Sequence, residues 1–273
     1  MNTANPKWHK STKSYKELKN QIKTDKAFCL ALQSSLMIAK KRAWSELHPD
    51  LYHALDNVFE GNGWPITPEA YLDYVEQYLV LIPNEMNDPD YPNAWSSDDT
   101  QNGYNQKVYD LLCQFYFLVD QASPLTNKTL QDYKKDGFVF ADWLREFAID
   151  WGNFLDTKES LPLWAMASFA ADSMYNIPLY NENSKNWKTF NEFFYREFNG
   201  ANKKGHSPLR PIAEPGNNNA ITSPADCTYK MMYPIDEDGN VLGINGMPTS
   251  LKLKNTHTVY TVSELLQDDK LAE

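Results

Sequence analysis

Ser223-Pro224-Ala225-Asp226, within the longer stretch Asn219-Ala220-Ile221-Thr222-Ser223-Pro224-Ala225-Asp226-Cys227, marks the change between two kinds of sequence. Upstream, apolar residues recur at helical spacing. Downstream, short β-like runs alternate with turn residues. This order predicts an α+β fold. An all-α helical domain is expected over residues 1–185, followed by the start of a β-rich domain over residues 186–273. Asp226 is the candidate chemical residue. Taken by itself, an Asp two places after Pro224 is a turn residue that hydrogen-bonds locally.

Working back from that stretch, residues 14–42 read as one helix, with Leu18, Ile22, Cys29, Leu32 and Leu36 at helical spacing. A second helix is expected from Pro49-Asp50 to Phe59, stopped by Gly61-Asn62-Gly63. Thr67 is a plausible cap for a third, with Pro68 at its first position and Tyr71, Tyr74, Val75, Tyr78 and Leu79 as its stripe. Residues 84–102 are polar loop. Helices follow over 103–122, 138–155 and 161–176, and a short aromatic one over Trp187–Phe198. Trp143 and Trp151 are expected in the core.

Working forward, Thr228–Tyr233 is a candidate strand. Asp236-Glu237-Asp238-Gly239-Asn240 reads as a hairpin turn, since Asp-Gly and Gly-Asn supply the positive φ of tight turns. Val241–Ile244 and Ser250–Leu253 are the next strands. Val262–Asp268 reads as a short helix capped by Thr261 or Ser263.

Composition narrows the function classes. The 273 residues are 42% hydrophobic and 14% aromatic, which suits a chain that buries a core. A net charge of -10 opposes nucleic-acid binding and gains nothing from anionic lipid headgroups. Three scattered cysteines, Cys29, Cys113 and Cys227, give no disulfide framework or zinc pattern. The polar N-terminus shows no secretory signal. Charge-free apolar runs such as Phe28–Ala39 and Ser160–Ala171 have 12 residues each, whereas a spanning helix needs about 20. The expectation is a soluble, cytoplasmic protein.

Several chemistries lack their residues. The five histidines form no His-x-x-His or His-x-x-x-His pair, so no metal ligand set is expected. There is no Gly-x-x-x-x-Gly-Lys phosphate loop and no Gly-x-Ser-x-Gly nucleophile elbow. Paired carboxylates such as Asp98-Asp99 and Asp268-Asp269 lie in polar segments and read as solvated.

Four pieces remain, in order. They are Phe190-Asn191-Glu192-Phe193-Phe194-Tyr195-Arg196, Arg210-Pro211-Ile212, Ser223-Pro224-Ala225-Asp226, and Tyr260-Thr261-Val262-Ser263-Glu264-Leu265-Leu266. Together they resemble the phosphatidylserine decarboxylase family. That family shows Phe-Asn-x-Phe-Phe-x-Arg, Arg-Pro-Ile, Pro-Ala-Asp-Gly and Tyr-Ser-Leu followed by a Leu-Leu helix, at similar spacing. The long helical N-terminus, and Asp150–Ser160 within it, are similar to the family's divergent branch, which includes fungal tryptophan decarboxylases.

The resemblance implies a lyase with a self-derived pyruvoyl cofactor. It is made when a serine attacks the preceding Gly-Ser bond in an autocatalytic cleavage, and it then holds the substrate amine as a Schiff base and serves as electron sink. The implied substrate is phosphatidylserine, as in phospholipid biosynthesis, or a soluble aromatic amino acid. Asp226 would orient the histidine that activates the serine. Arg196 and Arg210 would face a carboxylate or phosphate, or else make ordinary ion pairs. Phe190, Phe193 and Phe194 read as helix anchors.

The chain also departs from the family. Cys227 stands where the family has Gly, which admits backbone conformations that Cys resists. Lys254–Val259 replaces a shorter Lys-Gly turn. None of the eleven glycines precedes a serine, and His257 lies before the Leu-Leu helix instead of after it. The expectation is an N-terminal portion, inactive alone, whose partner is the remaining C-terminal catalytic segment and whose open strand edges favour self-association. The alternative is a non-catalytic helical binding or scaffold module derived from that family.

Overall fold

The computed structural model describes residues 9–95, 106–124, 126–180, 187–198, 214, 216–220, 222, 232–243, 245–253 and 257–266. The described structure is mixed α and β with helix dominant. The chain divides into two compact units, Met1–Arg210 and Pro211–Glu273.

The first unit holds α1 (Lys13–Thr24), α2 (Lys26–Glu46), α3 (Pro49–Val58), α4 (Pro68–Tyr78), α5 (Lys107–Val119), α6 (Phe140–Leu155), α7 (Leu163–Ala171) and α8 (Phe190–Phe194). A two-stranded antiparallel hairpin, β1 (Lys134–Lys135) with β2 (Phe138–Val139), precedes α6.

The helix expected over 14–42 is two helices, and Asp25 breaks it. Its backbone is extended, at φ -118° and ψ 98°. Oδ1 accepts from the amides of Ala27 and Phe28, at 2.9 and 3.2 Å, and so caps α2. Oδ1 also takes Lys135 Nζ at 3.1 Å. Oδ2 takes the Tyr133 hydroxyl at 2.6 Å and Gln21 Nε2 at 3.0 Å. The Tyr133 hydroxyl, then Lys135 and the two amides, hold the buried carboxyl down at about 2. Periodicity continues through the break because both helices bury the same side, with Leu18 before it and Phe28, Leu32 and Leu36 after it.

The hairpin turns on Asp136-Gly137, with φ of 50° and 86°, the paired positive values of a tight two-residue turn. It brings Tyr133 and Lys135 to Asp25. Thr67 caps α4 as its sequence suggests, accepting from the Ala70 amide at 3.1 Å. Tyr71, Tyr74, Val75 and Tyr78, spaced along one face, are buried.

Around α4, α1 packs on α6 and α4, and α2 packs on α5. Phe115 of α5 stacks on Phe147 of α6 with centroids 4.4 Å apart. Two hydrogen bonds fix α1 to α6: the Ser14 amide to Asp150 Oδ2 at 2.8 Å, and Trp143 Nε1 to the Ser14 carbonyl at 2.9 Å. Trp143 is core as expected. Trp151 is half-buried and touches both this core and a second, smaller one.

The second core gathers Phe154, Leu161, Met166, Phe169, Phe190 and Phe193. Ser160 is its polar pin. Its Oγ accepts from the Phe190 amide at 2.9 Å and donates to backbone carbonyls of the preceding turn. Thr189 caps α8 through the Glu192 amide at 3.1 Å. Phe190 and Phe193 are anchors as their spacing suggests, while Phe194 is exposed. These contacts carry the first unit past the boundary expected at 185/186.

The second unit contains β3 (Leu251–Leu253), β4 (His257–Val259) and α9 (Val262–Leu266). β3 and β4 pair antiparallel, with Leu251 opposite Val259. Gly239, at φ 79°, closes the expected turn, and Ile235 bridges Val241 beyond it. Thr261 caps α9 by accepting from the Glu264 amide at 3.1 Å. Glu264 Oε2 accepts from the Thr261 amide at 3.4 Å, which completes a capping box, and from the Tyr260 amide at 2.6 Å. The strand expected at Thr228–Tyr233 falls mostly outside the described residues.

Candidate functional site

Asp226 lies outside the described residues, as do Arg210-Pro211-Ile212 and the rest of Ser223–Cys227. Of the four sequence pieces, the first and last are described. They belong to different units, Phe190–Arg196 to the first and Tyr260–Leu266 to the second. The first leads to a polar cluster that the sequence does not announce.

Arg196 ends that piece, just beyond α8. Its guanidinium lies 4.4 Å from the Tyr180 ring centroid, 4.8 Å from Phe193 and 5.8 Å from Tyr175. Nη1 donates to the Phe193 carbonyl at 3.2 Å, and Nη2 reaches the Tyr175 carbonyl at 3.5 Å. Three ring faces and two carbonyls hold the charge. Among the described residues Arg196 makes no ion pair, contrary to the ion-pair expectation, because aromatic quadrupoles surround it instead.

Tyr175 extends the network. Its hydroxyl donates to Glu85 Oε1 at 2.9 Å. Glu85 is buried in the loop after α4, where its amide is fixed by Ser168 Oγ of α7 at 2.9 Å. Beside it, Asn84 Oδ1 accepts from Lys107 Nζ at 3.0 Å, and Lys107 also lies over the Trp95 ring. The α4–α5 loop, the start of α5, the turn after α7 and the end of α8 thus meet at one polar seam beside the second core.

Burial is the main influence on these groups. It pushes the Glu85 carboxyl up to about 7, helped by the nearby Asp172 charge and opposed by the Tyr175 hydroxyl and Lys107. Burial also raises the Tyr175 phenol, with Glu85 adding to it. Lys107 is pushed down by burial, against the pull of Asp88 and Glu85. A carboxyl held near neutrality can take up or release a proton at physiological pH, while the raised phenol beside it stays protonated. The same bonds also tie four segments together, which is a structural role that needs no ligand.

Sequence reasoning passed over Glu85, Lys107 and Tyr175. Glu85 falls in a polar loop, and nothing local distinguishes it from the exposed carboxylates around it. The one usable signal is its position just after the apolar Leu79–Pro83, which draws the loop inward.

Among the described residues no three His, Cys, Asp or Glu side chains gather as a metal site. None of the described helices is long and apolar enough to cross a membrane. No protein-family model, curated protein or solved structure matches the chain.

Proposed function

We propose that this chain belongs to a pyruvoyl-dependent decarboxylase related to phosphatidylserine decarboxylase. It acts on phosphatidylserine or on a soluble aromatic amino acid. The observation that carries this reading is the ordered series Phe190–Arg196, Arg210–Ile212, Ser223–Asp226 and Tyr260–Leu266. In this reading the helical unit is a platform, Asp226 orients a histidine, and the protein works in the cytoplasm.

The residues at hand do not supply the pyruvoyl group. It requires a serine after a glycine, and none of the eleven glycines has one. No chemical step through that group is therefore assigned to these residues. The large helical unit, without a described spanning helix, favours a soluble substrate over a lipid.

The test uses the product of the intact reading frame, including any codons beyond Glu273. The expected result is two chains on a denaturing gel, a new N-terminus that reacts with phenylhydrazine, and carbon dioxide released from one substrate class. Asp226→Asn is expected to leave a single uncut chain. A wild-type product that stays uncut, takes up no hydrazine and releases no carbon dioxide overturns the proposal in favour of a binding or scaffold module.

A further inference from the structure

A cleft of about 150 Å³ opens in the first unit where the C-terminal end of α2, helix α3 and helix α5 meet. Leu47, Leu51 and Leu55 line it together with Trp64 and Phe117. α5 contributes Asp110, Cys113, Gln114 and Phe117, whose i, i+3, i+4 and i+7 spacing puts them on one face. A cavity near 150 Å³ with apolar walls accepts a benzene-sized body.

The polar groups of this cleft differ in whether they are satisfied. Trp64 Nε1 donates to the Tyr52 carbonyl at 3.0 Å. Gln114 Nε2 donates to the Gly63 carbonyl at 2.9 Å, and its Oε1 faces the Tyr74 hydroxyl at 3.5 Å. Glu46 is clamped by Arg42 through Nε and Nη2, at 2.9 and 3.0 Å. Asp110 is the exception. Its half-buried side chain makes no hydrogen bond or ion pair among the described residues. Burial alone pushes its carboxyl up to about 6, and no neighbouring charge offsets the effect.

An apolar cleft whose one uncompensated group is a carboxylate is complementary to a ligand with an apolar body and one positive charge. The geometry points to a binding site for a small organic ammonium ion, its body among the leucines and the Trp64 and Phe117 rings and its charged end at Asp110. This assignment is independent of the decarboxylase reading, since it uses neither Asp226 nor the pieces downstream of α7.

Three isosteric probes separate charge from shape: cyclohexylammonium, cyclohexanol and cyclohexanecarboxylate. Titration calorimetry of the full chain is expected to show saturable binding of the ammonium, with the alcohol and the carboxylate at least about tenfold weaker, the factor set by one charge-assisted contact. Asp110→Asn is expected to remove that preference. Leu51→Phe, which fills the cleft, is expected to abolish binding of all three. Cys113 is exposed at the cleft and gives an independent readout. Its alkylation by iodoacetamide, followed by peptide mass spectrometry, is expected to slow with cyclohexylammonium in wild type and not in Asp110→Asn. Equal affinity for the three probes, unchanged affinity in Asp110→Asn, or no saturable ammonium binding by folded wild type each overturns the assignment.

Discussion

Trp143 of the helical unit is 2% exposed and packs with Tyr71, Phe140 and Phe147, whereas Tyr260 of the unit after Arg210 is 56% exposed. The contrast extends beyond these two residues. In the first unit, aromatic side chains from α4, α5 and α6 interlock ring on ring. In the second, Val241 and Val259 are the buried apolar residues among those described, and Met232, Met247, Leu265 and Leu266 are exposed. Both units obey the same local rules of capping and turn chemistry. Helices with apolar stripes bury one another and need nothing else. Short strands satisfy their ladder bonds yet bury little until another layer covers them.

The sharpest way to break this comparison is to remove a ring from the dense core. Trp143→Ala is expected to lower the stability of the helical unit by about 3–5 kcal/mol, seen as a shifted urea midpoint in far-UV circular dichroism. Val259→Ala is expected to leave that midpoint in place. Equal shifts for both would mean that the two units unfold as one.

A smaller effect is expected at Asp25. Asp25→Ala removes a helix cap and several charge-assisted bonds, a loss of roughly 2–3 kcal/mol. Its carboxyl is held below its unfolded value, so the stability it contributes is complete above about 3.9 and disappears as pH falls through about 2. Acid titration of the unfolding midpoint should therefore be shallower below pH ~4 in Asp25→Asn than in wild type. Parallel acid limbs would remove Asp25 from this role.

Glu85 has the opposite sign. Its folded value is raised to about 7, so its favourable contribution is complete below the unfolded value of about 4.3 and is lost as pH rises through about 7. Glu85→Gln should flatten the decline in stability between pH ~5 and ~8. An unchanged slope would mean that the seam with Tyr175 carries no titrating carboxyl in this range.

What the sequence makes legible follows the range of each interaction. The Thr67 cap, the turn at Asp236–Asn240 and the start of α9 are decided within a few residues, and their residue types declare them. Asp136-Gly137 is equally local, and its Asp-Gly pair was sufficient to expect the hairpin that the helical reading passed over. Asp25 is different. It breaks a continuous apolar stripe, and what secures it there is Tyr133 and Lys135, far along the chain. The Glu85–Tyr175–Arg196 seam and the Asp110 cleft are harder still. Each joins several elements, and the environment that shifts a carboxyl exists only once they are packed. The residues that resemble a decarboxylase are legible as a pattern, while Asp226 itself lies outside the described residues.

The Ser14 amide and Asp150 are 136 residues apart. At a synthesis rate of ~5–20 residues per second, α1 leaves the ribosome roughly 7–27 s before the side chain that receives it. For that interval α1 can meet α2 and α4, but the side of it that packs on α6 lacks its partner. Tying the first helix to the sixth therefore makes this unit late to close, and the nascent chain stays open to interception until α6 has emerged.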